Sequence, residues 1–418
     1  MSKKILLTGN STCANRGDCA ILRGITNSLE TMYPNYEFEL ASRFPKGSSY
    51  LMGREIVDDK LYTLQKPLKG IRRAIQMLKQ QFLYNHLYYL VKYPPLKNAL
   101  GIPKRYNGAI QYLNQFDSII HVGGSFFIDL YGLRQFDTII ISLLINKPVY
   151  LVGHSLGPFN IKKVNKFASL LLPQIKHIYL REEESMQHVN TLSSKFSNIT
   201  IGADTAWVIP EFSTTEIFSK EIKIVGTKFI AITIRNLSPF DRRLGVSQSE
   251  FESIFADQLN ILIEKGYHIV GISMCTGLDG YQVDDRIVAL SIKKKLKRPD
   301  CMTVLMYEYN DLELGYILSR CDLLIGTRLH SAILSLRYNT PAIALYYEHK
   351  SLGILRKIGL EEYSFTIKEL NSKRMNDTIN EILSKQNFTK EHIEKKVNAE
   401  QVVCTEMLQD LFKEDQYN

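Results

Sequence analysis

The chain has 418 residues, 45% of them hydrophobic and 23% charged, an ordinary globular composition with length for two α/β domains rather than one. Six scattered cysteines form no CxxC pair, so neither a zinc site nor a disulfide framework is expected, and no run of about 18 apolar residues marks a membrane span. The formal net charge is +9, and the segment from Lys66 to Tyr106 holds nine Lys or Arg and no Asp or Glu, so the excess is one local patch and not the dispersed basic surface of a nucleic-acid binder.

The apolar run before Gly9 is too short for a signal-peptide core, which places the protein in the cytoplasm. Lys4 to Thr8 reads as a first strand. The polar loop Gly9 to Cys19 leads into a helix from Ala20 to Leu29. Strand, glycine-containing loop and helix open a nucleotide-fold half, but the loop is not GxGxxG and dinucleotide binding is not indicated. Asn15, Arg16 and Asp18 stand where loop meets helix, and Asp18 serves equally well as an N-cap. Glu37 to Ser42 is a second strand. In the basic segment Ile71, Ile75, Leu78 and Phe82 recur at helical spacing, followed by a Leu/Tyr-rich stretch. Basic residues beside Tyr and Leu suit contact with an anionic inner leaflet; a solvated helix packed on the domain is the alternative.

Three further strands follow, and each ends in glycine or charge. Ser118 to Val122 runs into Gly123, Gly124 and onward to Asp129. Pro148 to Val152 runs into Gly153 to Phe159, and His177 to Leu180 into Arg181 to Ser185. This is the pattern of a parallel sheet whose carboxyl edge carries the site. Ile199 to Gly202 leads to Asp204, which reads most simply as a turn cap. Periodicity fades from Val208 to Lys228, a domain connection. A second alternating half then begins with a strand ending in Arg235 and continues through helices over 251–265, 281–295 and 311–320. The domains are therefore placed at 1–208 and 226–370, with a polar helical tail over 371–418.

The most informative stretch is Cys321 to Gly353. Leu323 to Gly326 is a strand, Ser331 to Tyr338 a helix, and Ala342 to Tyr347 a second strand ending in Glu348, His349 and Lys350. Arg328, His330 and Lys350 thus converge on one sheet edge beside a helix start, a setting that suits a small, multiply charged anion. Each has a structural alternative: His330 bonded to a carbonyl, Lys350 as a surface lysine, and, upstream, Arg181 as a surface ion pair with its neighbouring glutamates.

Seven motifs, in order and over nearly the whole chain, resemble the polysaccharide pyruvyl transferase family: NRGDCAIL (Asn15 to Leu22), GGSFFIDLYG (Gly123 to Gly132), GHSLGPF, REEES, GADTAW (Gly202 to Trp207), GTRLHSAI (Gly326 to Ile333) and PAIALYYEHKS (Pro341 to Ser351). Ile232 to Gly245 and Ser11 to Gly24 look most like the branch that serves colanic-acid biosynthesis, or the related amylovoran enzymes. The resemblance implies a glycosyltransferase-B-like fold, two Rossmann-like domains facing across a cleft. It implies phosphoenolpyruvate as donor substrate and no separate cofactor or metal. The acceptor would be a sugar, terminal galactose taking a 4,6-ketal, in a lipid-linked exopolysaccharide repeat. By the family pattern the donor meets Arg328, Leu329, His330 and Lys350, with an upstream arginine at Arg181 or Arg235. The first domain would face the acceptor with Asn15, Arg16, Asp18, Gly123, Gly124 and Asp129. Histidine titrates near neutrality and suits the acid, His330; Arg328 and Lys350 suit a departing phosphate; Asp18 and Asp129 are the candidate bases. A nucleotide-sugar glycosyltransferase on the same fold is the competing expectation.

Overall fold

A computed structural model of the chain describes residues 2–62, 70–213, 220–222, 228–238, 244–346 and 349–413, the side chains of 71–74, 349–351 and 386–389 excepted. Lys66, Lys69, the side chains of Arg72 and Arg73, and much of the 208–228 connection lie outside the described residues, as does the side chain of Lys350.

The first sheet has seven strands: β1 (Lys4–Asn10), β2 (Glu37–Ser42), β3 (Val57–Asp58), β4 (Ser118–Phe127), β5 (Val149–Leu156), β6 (His177–Leu180) and β7 (Ile199–Ile201), in the order β3-β2-β1-β4-β5-β6-β7. The second has six: β8 (Lys228–Thr233), β9 (Tyr267–Ile272), β10 (Met302–Val304), β11 (Leu323–Gly326), β12 (Ala342–Tyr346) and β13 (Ser364–Thr366), in the order β10-β9-β8-β11-β12-β13. Every pairing is parallel. Both orders reverse direction once, between β1 and β4 and between β8 and β11. The crevices at those reversals are where an open α/β sheet binds ligands.

Central strands read as continuous apolar runs because helices cover both faces. The edge strands β3 and β13, two and three residues long, are too short to show any period in the sequence. Strand β4 continues through Gly123 and Gly124, where the sequence suggested a loop, with a register shift against β5 between Gly124 and Phe127. Glycine makes this possible: a Cβ at Gly123 would stand 2.6 Å from the Gly153 carbonyl oxygen.

Apolar cores pack against the outer face of each sheet, and a third lies between the lobes around Trp207, buried with Ile21, Ile25, Ile333 and Leu408. The closing helix, Gln386–Asp410, runs back onto the first lobe. Gln401 donates to the Trp207 carbonyl at 3.0 Å, Tyr33 Oη donates to the Gln409 carbonyl at 2.8 Å, and Phe412 packs edge-on against Tyr33 and Tyr150.

The lobes are also stitched by backbone. The Arg16 amide donates to the Met274 carbonyl at 2.7 Å, the Thr276 amide to the Ala14 carbonyl at 3.0 Å, and Asn15 and Cys275 form a bridge between them. Arg23 clamps Asp311 through Nε and Nη2 at 2.8–3.0 Å, with Asp311 fully buried at the start of a second-lobe helix. Removing either partner strands a charge in the interface, so Asp311→Asn or Arg23→Met should lower the unfolding free energy by roughly 3–5 kcal/mol. The Arg23→Met/Asp311→Leu double variant should recover most of that loss in urea titrations, because a well-packed apolar pair leaves no charge stranded.

Candidate functional site

The β1 loop turns into the helix Arg16–Met32 at Asn15, whose side chain accepts from the Gly17 amide at 3.1 Å; Asn15, not Asp18, is the N-cap. This releases the Asp18 carboxyl, the third residue of the helix, to face a cleft of about 380 Å³ between the lobes. The cleft lies at the two sheet reversals. Arg43, Arg181, Arg235, Arg328 and His330 line it, and Asp18 is the one acid among the described lining residues.

Each described cation is held before any ligand arrives. Arg181 is buried, not a surface ion pair: Nε donates to Ser155 Oγ at 2.8 Å, Nη2 to Ser125 Oγ at 2.9 Å, and Nη1 to Asp204 at 2.7 Å. Arg328 donates from Nη2 and Nε to Asp285 at 2.6 and 3.1 Å. Asp285 is itself fixed by the Cys275 amide. Arg43 donates to Gln135 at 2.6 Å and lies 4.1 Å over the Tyr62 ring. His330, on the first turn of the helix Leu329–Arg337, reaches across the lobes with Nε2 3.2 Å from Asp204 Oδ2. That approach needs Gly17, because a Cβ there would stand 2.5 Å from His330 Nδ1.

Asp204 therefore does more than cap its turn. One oxygen accepts from the Ala206 amide at 2.9 Å while the other takes both Arg181 and His330. Burial alone would raise its affinity for a proton; His330 and Arg181 outweigh burial and hold the carboxyl well below the usual range. Asp18 goes the other way. Burial pushes its carboxyl up to about 6, against the opposing pull of His330, Arg181, Arg43 and Arg328. Beneath the site His121 and His154 meet at 3.2 Å, and burial pushes both imidazoles down, His154 to about 3, so they are neutral and add no charge.

Of the residues expected from sequence, the structure gathers Arg328, Leu329, His330, Arg181, Arg235, Asp18, Asn15 and Gly124 around the cleft. Three are placed elsewhere. Arg16 is wholly buried and anchors the second lobe, donating to the Tyr309 carbonyl, to Thr276 and, at 2.8 Å, to Glu308. Gly123 packs under the sheet edge. Asp129 does not line the cleft, and its carboxylate accepts from the Asn160 and Ile161 amides at 2.8 and 3.1 Å. Each of its oxygens holds one backbone amide, so from outside the cleft it clamps the loop carrying Leu130 and Tyr131. Lys350 opens the helix His349–Lys357 after β12, at the same sheet edge, with its side chain outside the described residues.

Sequence reasoning passed over Arg43, although it stands directly after β2, as Arg235 stands two residues after β8, and its strand carried the same signal. Asp285, Ser125 and Ser155 gave no signal; acids and serines at helix and strand ends are ordinary caps. Among the described residues no group of three His, Cys, Asp or Glu is placed to hold a metal ion.

The family model for polysaccharide pyruvyl transferases matches residues 15–349, spanning every residue named in the cleft. The chain belongs to the polysaccharide pyruvyl transferase family. A curated relative, the amylovoran biosynthesis protein AmsJ of Erwinia amylovora, is 37% identical over 414 residues, 98% of this chain and 99% of that one. Solved structures align over the whole length at much lower identity. A UDP-N-acetylglucosamine 2-epimerase homologue from Listeria monocytogenes gives a TM-score of 0.61 at 11% identity, covering 100% of this chain and 98% of that one. Anabaena HepE in complex with UDP and glucose gives 0.59 at 11%, covering 100% of both. Likeness at this level carries the fold alone, and the fold is glycosyltransferase-B-like. In this pyruvyl transferase the two sheet reversals of that fold face one another across the arginine-lined cleft.

The raised Asp18 has a stability consequence. Its folded-state affinity for a proton exceeds the unfolded one, so folding favours the protonated form: the contribution is complete below about pH 4 and lost as pH rises through about 6. Asp18→Asn should therefore be more stable than wild type above pH 6, by roughly 1–3 kcal/mol allowing for partial exposure, with the two curves converging near pH 4. Denaturant midpoints across that range check it.

Proposed function

We propose that this cleft binds phosphoenolpyruvate and transfers its enolpyruvyl group to a sugar of an exopolysaccharide repeat unit as a ketal, releasing phosphate. The observation that carries the reading is the charge of the cleft among the described residues: four arginines and a histidine around one acid, Asp18, whose carboxyl burial pushes up to about 6. A three-carbon enol phosphate presents a phosphate and a carboxylate, which together need several pre-placed guanidinium groups. Family membership supports the same chemistry.

In this reading the arginines do the electrostatic work. Arg328 and Arg181 are already anchored, so they take up charge on the departing phosphate without reorganising; Arg235, at the end of β8, and Arg43 complete the ring. Lys350 is assigned to the same phosphate. A proton must be added at the methylene carbon, one sugar hydroxyl attacks the central carbon with loss of its proton, the bond to the phosphate oxygen breaks, and a second hydroxyl closes the ketal with loss of another proton. Asp204 fixes His330 Nε2 and so sets the direction of Nδ1; His330 is the acid for the methylene carbon. Asp18 is the base that receives a hydroxyl proton, and its value near 6 leaves it ionised at neutral pH yet able to accept. The acceptor is a terminal galactose, giving a 4,6-ketal, in a lipid-linked repeat, as the resemblance to colanic-acid and amylovoran enzymes implies. Leu130 and Tyr131, exposed on the loop that Asp129 clamps, stand at the mouth where such an acceptor enters.

Purified protein given phosphoenolpyruvate and a galactose-containing lipid-linked repeat should release phosphate only when both are present, and each product sugar should carry one pyruvate by mass spectrometry. Stabilisation by nucleotide sugars but not by phosphoenolpyruvate in thermal-shift measurements would overturn the reading. Asp18→Asn should reduce turnover by about 10²–10⁴ while binding phosphoenolpyruvate at least as tightly, because a negative charge has left the anion site; Arg328→Ala should weaken both.

Gly17→Ala supplies a separate check on the contact between the lobes. The added methyl displaces His330 from Asp204, so turnover should fall by about tenfold or more with little change in far-UV circular dichroism.

A further inference from the structure

The helix Gly70–Lys92 has two apolar faces. One is buried on the first lobe through Tyr84, Leu87, Tyr88 and Val91. The other carries Ile75, Leu78, Phe82, Tyr89 and Tyr93, spaced 3, 4, 7 and 4 residues apart, so they form one stripe along the helix. All five are exposed, Phe82 at 73% and Leu78 at 56%, where an ordinary surface helix would be polar. The stripe's own helix and the neighbouring helix Lys162–Leu171 carry basic residues and no acidic ones. The stretches 70–113 and 162–171 contain no Asp or Glu, and Lys79, Lys92, Lys162 and Lys166 are exposed beside it. The Lys166 ammonium sits 4.1 Å over the Tyr88 ring and 5.8 Å from that of Tyr89, joining the two helices into one basic and aromatic face.

Position ties this face to the cleft. Tyr84 donates to Asp137 at 2.9 Å, and Asp137 opens the helix that follows β4, so it marks the carboxyl edge of the first sheet. Lys97 reaches the Leu144 carbonyl at the far end of that same helix, which fixes the direction of the chain from 84 to 97 as away from the cleft edge. Residues before Tyr84 therefore project past that edge, Ile75 by about 13 Å at 1.5 Å per helical residue. Ile75, Leu78 and Phe82 of the stripe thus lie past the carboxyl edge of the first sheet, the edge that carries the cleft.

We propose that this stripe and its lysines form a docking surface for an anionic lipid bilayer, with Ile75, Leu78 and Phe82 entering the headgroup boundary and the lysines resting on the phosphates. Charge chooses this occupant. Pairing with a second copy would press two basic, acid-free faces together, whereas an anionic surface is complementary to both the charge and the apolar stripe. Among the described residues no helix is long and apolar enough to cross a membrane, so the contact is peripheral. That docking places a lipid-linked acceptor at the cleft mouth rests on the function proposed above; the docking itself does not.

The test is co-sedimentation of the full chain with phosphatidylcholine vesicles, with and without phosphatidylglycerol, alongside sedimentation equilibrium. Wild type should bind only the vesicles containing phosphatidylglycerol, and binding should fall steeply as salt is raised. Lys79→Ser and Lys166→Ser should each weaken partitioning by about fivefold. Leu78→Ser/Phe82→Ser should weaken it by about tenfold or more, with an unchanged denaturant midpoint because both side chains are exposed, and with unchanged phosphate release on a soluble acceptor. Equal binding to neutral vesicles, no binding to either, or a dimer that Leu78→Ser/Phe82→Ser dissociates would each overturn the proposal. Vesicle binding without any turnover would instead count against the assigned reaction and leave the docking surface standing.

Discussion

The Asp204 carboxylate accepts from Arg181 in its own lobe and from His330 in the other, and the arrangement of the cleft follows from that sharing. A buried carboxylate is costly without partners, so both lobes must present their cations to it for the closed form to be stable. The contact is short-range and directional. It requires Gly17 to have no side chain, and it requires Asn15 to turn the chain so that the helix Arg16–Met32 begins where it does. The backbone stitches between the β1 loop and the segment after β9 hold the same register from the other side. The lobes of this pyruvyl transferase are therefore locked at the base of the cleft, while Leu130 and Tyr131 stay exposed on its lining.

Around that lock the cleft separates two kinds of charge. Asp204 and Asp285 are buried acids that are fully paired, and their role is to aim Arg181, His330 and Arg328. Asp18 is the acid left facing the space, and burial sets its proton affinity near neutrality. Neutral imidazoles, and not ions, lie underneath at His121 and His154, so the positive potential of the arginines is directed into the cleft. An anion entering here meets donors whose orientation is already fixed by serines and carboxylates behind them, the condition under which electrostatic stabilisation is most effective.

The outer helix Gly70–Lys92 shows why composition and location must be read together. Its apolar residues are divided between two faces, one of which stabilises the first lobe while the other faces solvent. The segment around it, Lys66 to Tyr106, holds nine basic and no acidic residues, against a net charge of +9 for the whole chain, and Lys79 and Lys92 are exposed on the helix itself.

The alternation of apolar runs with glycine or charge at their ends was enough to read parallel sheets, the carboxyl-edge location of the site, and the group Arg181, Arg235, Arg328 and His330, because period and punctuation are local properties of the chain. Family motifs added the type of chemistry for the same reason: they are contiguous. What the sequence could not decide was which polar groups meet across separations of tens to hundreds of residues. Asp18 and Asp129 look alike in sequence, each beside a glycine-bearing motif, yet one faces the cleft and the other is consumed by the Asn160 and Ile161 amides. Arg16 and Arg181 look equally functional, yet one holds the lobes together and the other lines the site. Asp285 meets Arg328 within the second lobe, and Ser125 and Asp204 meet Arg181 within the first, only once the loops of each sheet are packed, and His330 reaches Asp204 only when the two lobes face each other. Pairing of that kind depends on how the lobes pack, and packing is a property of the folded chain that no local pattern of residues encodes.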